Sequence, residues 1–190
     1  MGDSNPAFNF LAVDIGVFYF NGRKYLNCAK KLFEENNAEE SLVPFCLLAS
    51  TAAEIFLKII IAVNICENLK DLEKNNSNTK EIVNEELKNC GHDIKKMVEK
   101  SGVKDQFKIT QLEEVSNEFV SDYRFLQNGK PIFLKNSESI RFASLAKKPD
   151  VTQSVQYHFS PQIVDFLEQL KNFAEQRTTF VIGLYKEDKN

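Results

Sequence analysis

Tryptophan is absent from the chain, and its 190 residues hold only 2 histidines, 5 prolines and 7 glycines. Each scarcity removes a class of chemistry. The glycines form neither G-x-G-x-x-G nor G-x-x-x-x-G-K-[ST], which excludes the loops that wrap phosphates in dinucleotide-binding and P-loop proteins. His92 and His158 lie far apart with no H-x-x-x-H spacing, so no metal centre is expected. No E-x-x-H pattern accompanies the carboxylates, which argues against a di-iron bundle. Cys28, Cys46, Cys66 and Cys90 form no C-x-x-C pair and sit mostly in apolar surroundings. They read as buried free thiols in a reducing compartment. Basic excess is lacking too: the formal net charge is -3, which gives no general attraction to phosphate backbones or anionic membranes. The N-terminus shows no basic region leading into an apolar segment and cleavage site, so a cytoplasmic location is expected. No cofactor is implied.

What the chain has is phenylalanine, 16 of them, and enough length for one compact core, hence a single domain over 1–190. Its longest apolar run is LVPFCLLASTAAEIFLKIIIAVNIC, from Leu42 to Cys66. That run is long enough to suggest a membrane span. Glu54 and Lys58 in its middle argue otherwise, because each charge is expensive at membrane depth. They are four apart with the acid first, the favourable order for a pair on one helix face. Ser50 extends this polar stripe by one turn. The run therefore reads as the central helix of a bundle, apolar on most sides.

The rest is assigned by periodicity. Leu11, Ile15, Phe18, Tyr25 or Leu26, Ala29 and Leu32 or Phe33 recur at helical intervals and predict a helix over 10–34, locally weakened by Gly22. The central helix is expected over 41–69, with Pro44 in its first turn. The charged, Asn-rich stretch 70–90 reads as a mobile surface loop, with at most a short helix from Glu81 to Lys88. Ile94, Met97 and Val98 predict a short helix over 93–100, closed by Gly102. Leu112, Val115, Phe119, Tyr123 and Leu126 step by three or four and predict a helix over 110–127. Thr110 and Glu113 fit a capping box, and Asn128-Gly129 a stop. Residues 130–159 read as a non-helical insertion, either a hairpin or irregular chain. Ser160 as N-cap and Pro161 as first helical residue open a last helix over 160–179. The expected fold is all-α or mainly α: an up-and-down bundle of four to five helices with a short extended segment before the last.

Seven polar residues form the candidate site: Ser50, Glu54 and Lys58 on the central helix, His92 and Asp93 at a helix start, and Tyr123 and Arg124 near the end of the fourth helix. A buried Glu54 needs a partner, and Lys58, His92 or Arg124 would supply it. As a structural network this needs no ligand. As a functional site, Lys58 and Arg124 would bind phosphate and His92 would shuttle protons. Cys90, two residues before His92, reads as an inert thiol rather than a nucleophile. Arg141, Lys147 and Phe142 make a weaker basic and aromatic patch.

These residues carry a resemblance. LLASTAAEIFLKIII matches an A-x-E-x-x-L-K helix at Ala52 or Ala53, Glu54, Leu57 and Lys58. GHDI matches a segment preceding a short helix at Gly91, His92, Asp93 and Ile94, and Tyr123-Arg124 completes the set. In these pieces the chain resembles the HEPN family, the higher eukaryotes and prokaryotes nucleotide-binding helical domain. The resemblance covers about Leu11 to Gln127 and implies a helical bundle that forms a homodimer. Catalytic members of that family are metal-independent ribonucleases with an R-x4-6-H motif. Here FLQNGKPIF follows Arg124, and neither Arg141 nor Arg177 has a histidine at that spacing. The resemblance thus implies a non-catalytic binding or interaction module, with no catalytic residue assigned. Its partners would be RNA, a nucleotide, or a protein such as a nucleotidyltransferase or toxin–antitoxin component. A ribonuclease with a non-standard site and a purely structural bundle are the alternatives.

Overall fold

The computed structural model describes residues 6–35, 38–72, 78–116, 121–135, 140 and 160–187. Six helices and three strands follow in order: α1 (Pro6–Glu34), α2 (Ala38–Leu72), α3 (Thr79–Cys90), α4 (Ile94–Lys100), α5 (Val103–Gln106), β1 (Ile109–Ser116), β2 (Ser121–Gln127), β3 (Lys130–Lys135) and α6 (Pro161–Glu187). The described residues are mostly helical, with one small antiparallel sheet.

Helix α2 is the centre. It touches α1, α3, α4, α6 and β3, which explains why its apolar residues go round the whole helix rather than along one stripe. Phe45, Ala49, Ala52, Phe56, Leu57, Ile60 and Val63 are all buried. The segment Ser41–Leu69 is long and apolar enough to cross a membrane, yet 72% of that apolar window is buried inside the protein itself. The helix starts at Ala38, before the predicted 41, so Pro44 lies inside it rather than in its first turn.

The crossing of α1 and α2 explains a glycine. An added Cβ at Gly22 would lie 2.8 Å from Phe56 Cε1 and 3.0 Å from Ile55 Cγ2. Phe56 is fully buried, so its ring has no free space to swing into. Alanine would gain about 1 kcal/mol of helix propensity, against about 1–3 kcal/mol for overpacking. Gly22→Ala is therefore expected to lower the urea midpoint. A raised midpoint would mean that the two helices separate freely at this crossing.

Helix α6 opens as its sequence signals: the Gln162 N–H donates to Ser160 Oγ at 3.2 Å, with Pro161 first in the helix. It runs past the expected 179 to Glu187. Its ion pair to α1 joins Lys30 to Glu168 at 2.9 Å. Burial alone would raise the Glu168 carboxyl, but bonds from Lys171 and Lys30 outweigh it and hold the group below its ordinary value.

Two expectations are corrected. The stretch 70–90 is not all loop: Thr79–Cys90 is a helix whose Thr79, Val83 and Cys90 are buried, with Leu87 packed against the core. Charged residues between those positions hide a helical stripe of intervals four, four and three. Nor is 110–127 a helix. Its ends form β1 and β2, and β3 completes a meander in the order β1-β2-β3. Asn128 and Gly129 have φ values of 51° and 74°. Gln127 pairs with Lys130 across them, the two-residue hairpin that Asn-Gly favours. On β2, Tyr123, Phe125 and Gln127 are buried while Arg124 is exposed, the period of two of a strand with one covered face. Phe125 packs on Phe166 of α6 at 5.0 Å between ring centroids. The insertion 130–159 thus begins as a strand; apart from Ile140, residues 136–159 lie outside the described residues, and with them the patch of Arg141, Phe142 and Lys147.

Candidate functional site

The best-formed part of the site is made by a junction of two helix ends. Gly91 ends α3 with φ 56° and ψ -122°, a backbone that glycine adopts without a Cβ penalty. Its N–H donates to the carbonyls of Leu87 and Lys88. Asp93 begins α4: its carboxylate accepts the Lys96 N–H at 3.0 Å. His92 is the single residue between these two caps, which fixes where its ring projects. It projects at α2.

There Glu54 Oε1 lies 2.8 Å from Lys58 Nζ and 2.7 Å from His92 Nδ1. One carboxylate oxygen therefore meets both groups. The lysine contact is a hydrogen bond, and the imidazole contact is an ion pair when His92 is protonated. The Glu54 side chain is 10% exposed, against 25% for Lys58 and 37% for His92. The acid is at the floor and the two nitrogen-bearing groups reach toward solvent. Asp93 adds an ion pair to Lys96 at 3.7 Å.

The other predicted residues are elsewhere. Ser50 is buried one turn along α2, where its Oγ accepts the Lys135 backbone N–H at 3.2 Å. It fastens α2 to β3 beside a cavity of about 10 Å³, which holds at most one water. Tyr123 is buried in the covered face of the sheet, and Arg124 points to the opposite face with its guanidinium 5.8 Å from the centre of the Phe133 ring. Loss of the predicted fourth helix accounts for this: on a strand, consecutive residues face opposite ways. Of the seven, Glu54, Lys58 and His92 come together, with Asp93 adjoining.

A second polar group was not anticipated. Arg177 on α6 donates through Nη2 to Asn64 Oδ1 at 2.7 Å and to Glu67, and Asn64 Nδ2 donates to the Ser101 carbonyl at 3.0 Å. Among the described residues, Glu67 Oε1 and Arg177 Nε are buried without a hydrogen bond. The signal was Asn64 and Glu67, three apart on α2 and so on one face of the helix. This group ties α6 and the α4–α5 turn to α2.

The thiols take no part. Burial, and then the Glu67 charge, push the Cys66 thiol up to about 12. Burial raises Cys90 as well, against the pull of Lys100. Neither is a nucleophile near neutral pH. Cys28 departs from expectation by being exposed, while Cys46, Cys66 and Cys90 are buried. With an aromatic disulfide reagent, the native protein is expected to release one equivalent quickly and three more only on unfolding. Two fast equivalents would contradict this arrangement. Among the described residues no three His, Cys, Asp or Glu side chains gather as a metal site.

Comparison with family models, with curated proteins and with solved structures gave no match.

Proposed function

We propose that the chain is a HEPN-like, non-catalytic module that binds a nucleotide or RNA segment at Glu54, Lys58 and His92. The observation that carries this reading is the gradient of exposure across that trio. Lys58 and His92 offer donors at the surface to a phosphate oxygen, and Glu54 below them holds both in place and can accept from a ribose hydroxyl. The A-x-E-x-x-L-K helix and the G-H-D-I junction support the family assignment, and the latter has a physical role as two caps flanking one histidine. Tyr123-Arg124 no longer supports it in a helical context. No arginine is followed by histidine at the ribonuclease spacing, which favours binding over cleavage. A homodimer in the cytoplasm, working with a nucleotidyltransferase-like or toxin–antitoxin partner, is the setting this reading implies.

The test is equilibrium binding of a nucleotide panel and short single-stranded RNAs at low salt. Binding that falls at least tenfold in His92→Ala, with an unchanged melting temperature, is the expected result. Binding indifferent to both His92→Ala and Lys58→Met would sink the proposal. Metal-free RNA cleavage lost in His92→Ala would replace it with the ribonuclease reading.

One observation favours a second reading, a bundle whose polar groups are structural. Ser50, Asp93 and Arg177 each already serve a seam or a cap. In that case no ligand in the panel binds.

A further inference from the structure

Two basic groups meet one carboxylate oxygen at the trio, and that ratio decides when an anion binds there. Glu54 Oε1 lies 2.8 Å from Lys58 Nζ and 2.7 Å from His92 Nδ1, so the two nitrogens are no farther apart than those distances combined. With a neutral imidazole the trio carries no net charge, because Glu54 compensates Lys58. With a protonated imidazole it carries one surplus positive charge, at a site where the Glu54 side chain is only 10% exposed and water screens poorly. The surrounding charges are already balanced against each other. On α4, Asp93 pairs with Lys96 at 3.7 Å. Between α3 and α4, Glu86 pairs with Lys100. Lys100, Glu86, Lys58 and Asp93 all act on Cys90, two residues before the histidine, and burial raises that thiol and keeps it neutral.

We propose that the trio is a proton-linked subsite for a single phosphate group. It takes a phosphodiester anion when His92 is charged, and Glu54 is the residue that shuts it at higher pH. This rests on the ligand reading above and adds the regulation of that same site. Of the side-chain types in the trio, imidazole is the one whose charge ordinarily changes between about pH 5 and about pH 8. The whole chain has a net charge of -3, so an approaching anion gains nothing from the molecule at large and depends on the local surplus. A phosphate oxygen at the rim accepts from the protonated ring and from the Lys58 ammonium together, and it relieves the repulsion between two cations held at one oxygen. One surplus charge matches one phosphate, so the salt dependence is shallow. On single-stranded RNA the logarithm of the affinity falls by about 0.7 per tenfold rise in salt for each phosphate neutralised. Anion binding favours the charged ring, so the complex takes up a proton wherever the free ring is neutral, and affinity falls as pH rises. Glu54→Gln reverses this. The carboxylate that compensates Lys58 is gone, the trio keeps one positive charge even with a neutral ring, and binding survives at high pH. Removing the acid should therefore improve binding, whereas loss of a mere scaffold would weaken it.

The probes are pentauridylate without a terminal phosphate and uridine 3′,5′-cyclic monophosphate. The phosphate comes from an RNA backbone in the first and from a free nucleotide in the second, and neither probe titrates over the range used. Calorimetric titration of wild type from about pH 6 to about pH 8.5 should show affinity for at least one probe falling at least tenfold. Paired titrations in buffers of different ionisation enthalpy should show uptake approaching one proton at the upper pH. Glu54→Gln, shown to fold by circular dichroism, should bind at least tenfold more tightly than wild type at the upper pH and take up no proton. His92→Ala should bind weakly at both ends of the range, because Lys58 stays compensated. Wild-type binding without proton uptake would overturn the proposal and leave the ligand reading standing. So would a folded Glu54→Gln that binds no more tightly than wild type at the upper pH. If Glu54→Gln does not fold, proton uptake by wild type decides alone. If neither probe binds wild type at about pH 6, the ligand reading fails and the proton linkage with it.

Discussion

Phe166→Ala is expected to cost about 3–5 kcal/mol. Phe166 is fully buried, with its ring edge-on to Phe107 at 6.0 Å and to Phe125 at 5.0 Å. Phe107 also contacts Phe173 at 5.8 Å, so α6, the α5–β1 turn and β2 meet in one aromatic cluster. Truncation leaves a cavity at that junction, and Phe107 and Phe125 both lose a ring partner. The loss should show as a lower urea midpoint with an unchanged slope, since the same surface is exposed on unfolding. It should concentrate on the sheet, so amide exchange at Tyr123 and Phe125 should accelerate more than exchange within α2. Phe173→Ala, at a half-buried position, should cost less. A Phe166→Ala cost under about 1 kcal/mol would mean that the sheet is held by other contacts, because isosteric swaps rather than truncations fall in that range.

That cluster also shows why the sheet was hidden in the sequence. Leu112, Val115, Phe119, Tyr123 and Leu126 satisfy a helical interval, and nothing local contradicts it. In β2 the alternation is masked because Gln127, polar in type, points inward and bonds to Gln169 at 2.6 Å. In β1 it is broken by the register shift between Thr110 and Glu113, where Gln111 takes a positive φ. Asn128-Gly129 was the informative signal, and it served equally as a helix stop and a hairpin turn. Strand pairing and a ring on α6 decide between them, and both are remote in sequence. By contrast α1, α2, α4 and α6 were legible because their apolar positions, caps or uninterrupted length are local properties. The site divides the same way. Glu54 and Lys58 meet by helix geometry alone, and His92 is aimed by its own flanking caps. Arg124 depended on an element of the wrong type.

Removing Glu54 should separate the two readings of the site by the sizes of three effects. Glu54→Leu leaves the Lys58 ammonium, 25% exposed in its side chain, without its carboxylate. Stranding one partner of a fully buried ion pair costs about 3–5 kcal/mol, and partial exposure of Lys58 reduces the expectation to about 2 kcal/mol. Glu54→Leu/Lys58→Met removes both charges and should recover most of that loss, because the methionine fills the lysine stem's volume among apolar neighbours. His92→Ala removes a ring whose side chain is 37% exposed, at the rim of the trio. Its expected cost is below about 0.5 kcal/mol, the range of surface substitutions. A ligand site therefore predicts that His92→Ala abolishes binding at almost no cost in stability, while the double variant is stable and silent. A structural network predicts the reverse: a coupling energy between Glu54 and His92 above about 1 kcal/mol in a double-mutant cycle, with no ligand to lose. Urea denaturation of the single and double variants, paired with one binding isotherm, measures both quantities on the same proteins. A His92→Ala cost as large as that of Glu54→Leu would remove the case for a site, because the imidazole would then be holding the helices together instead of facing a ligand.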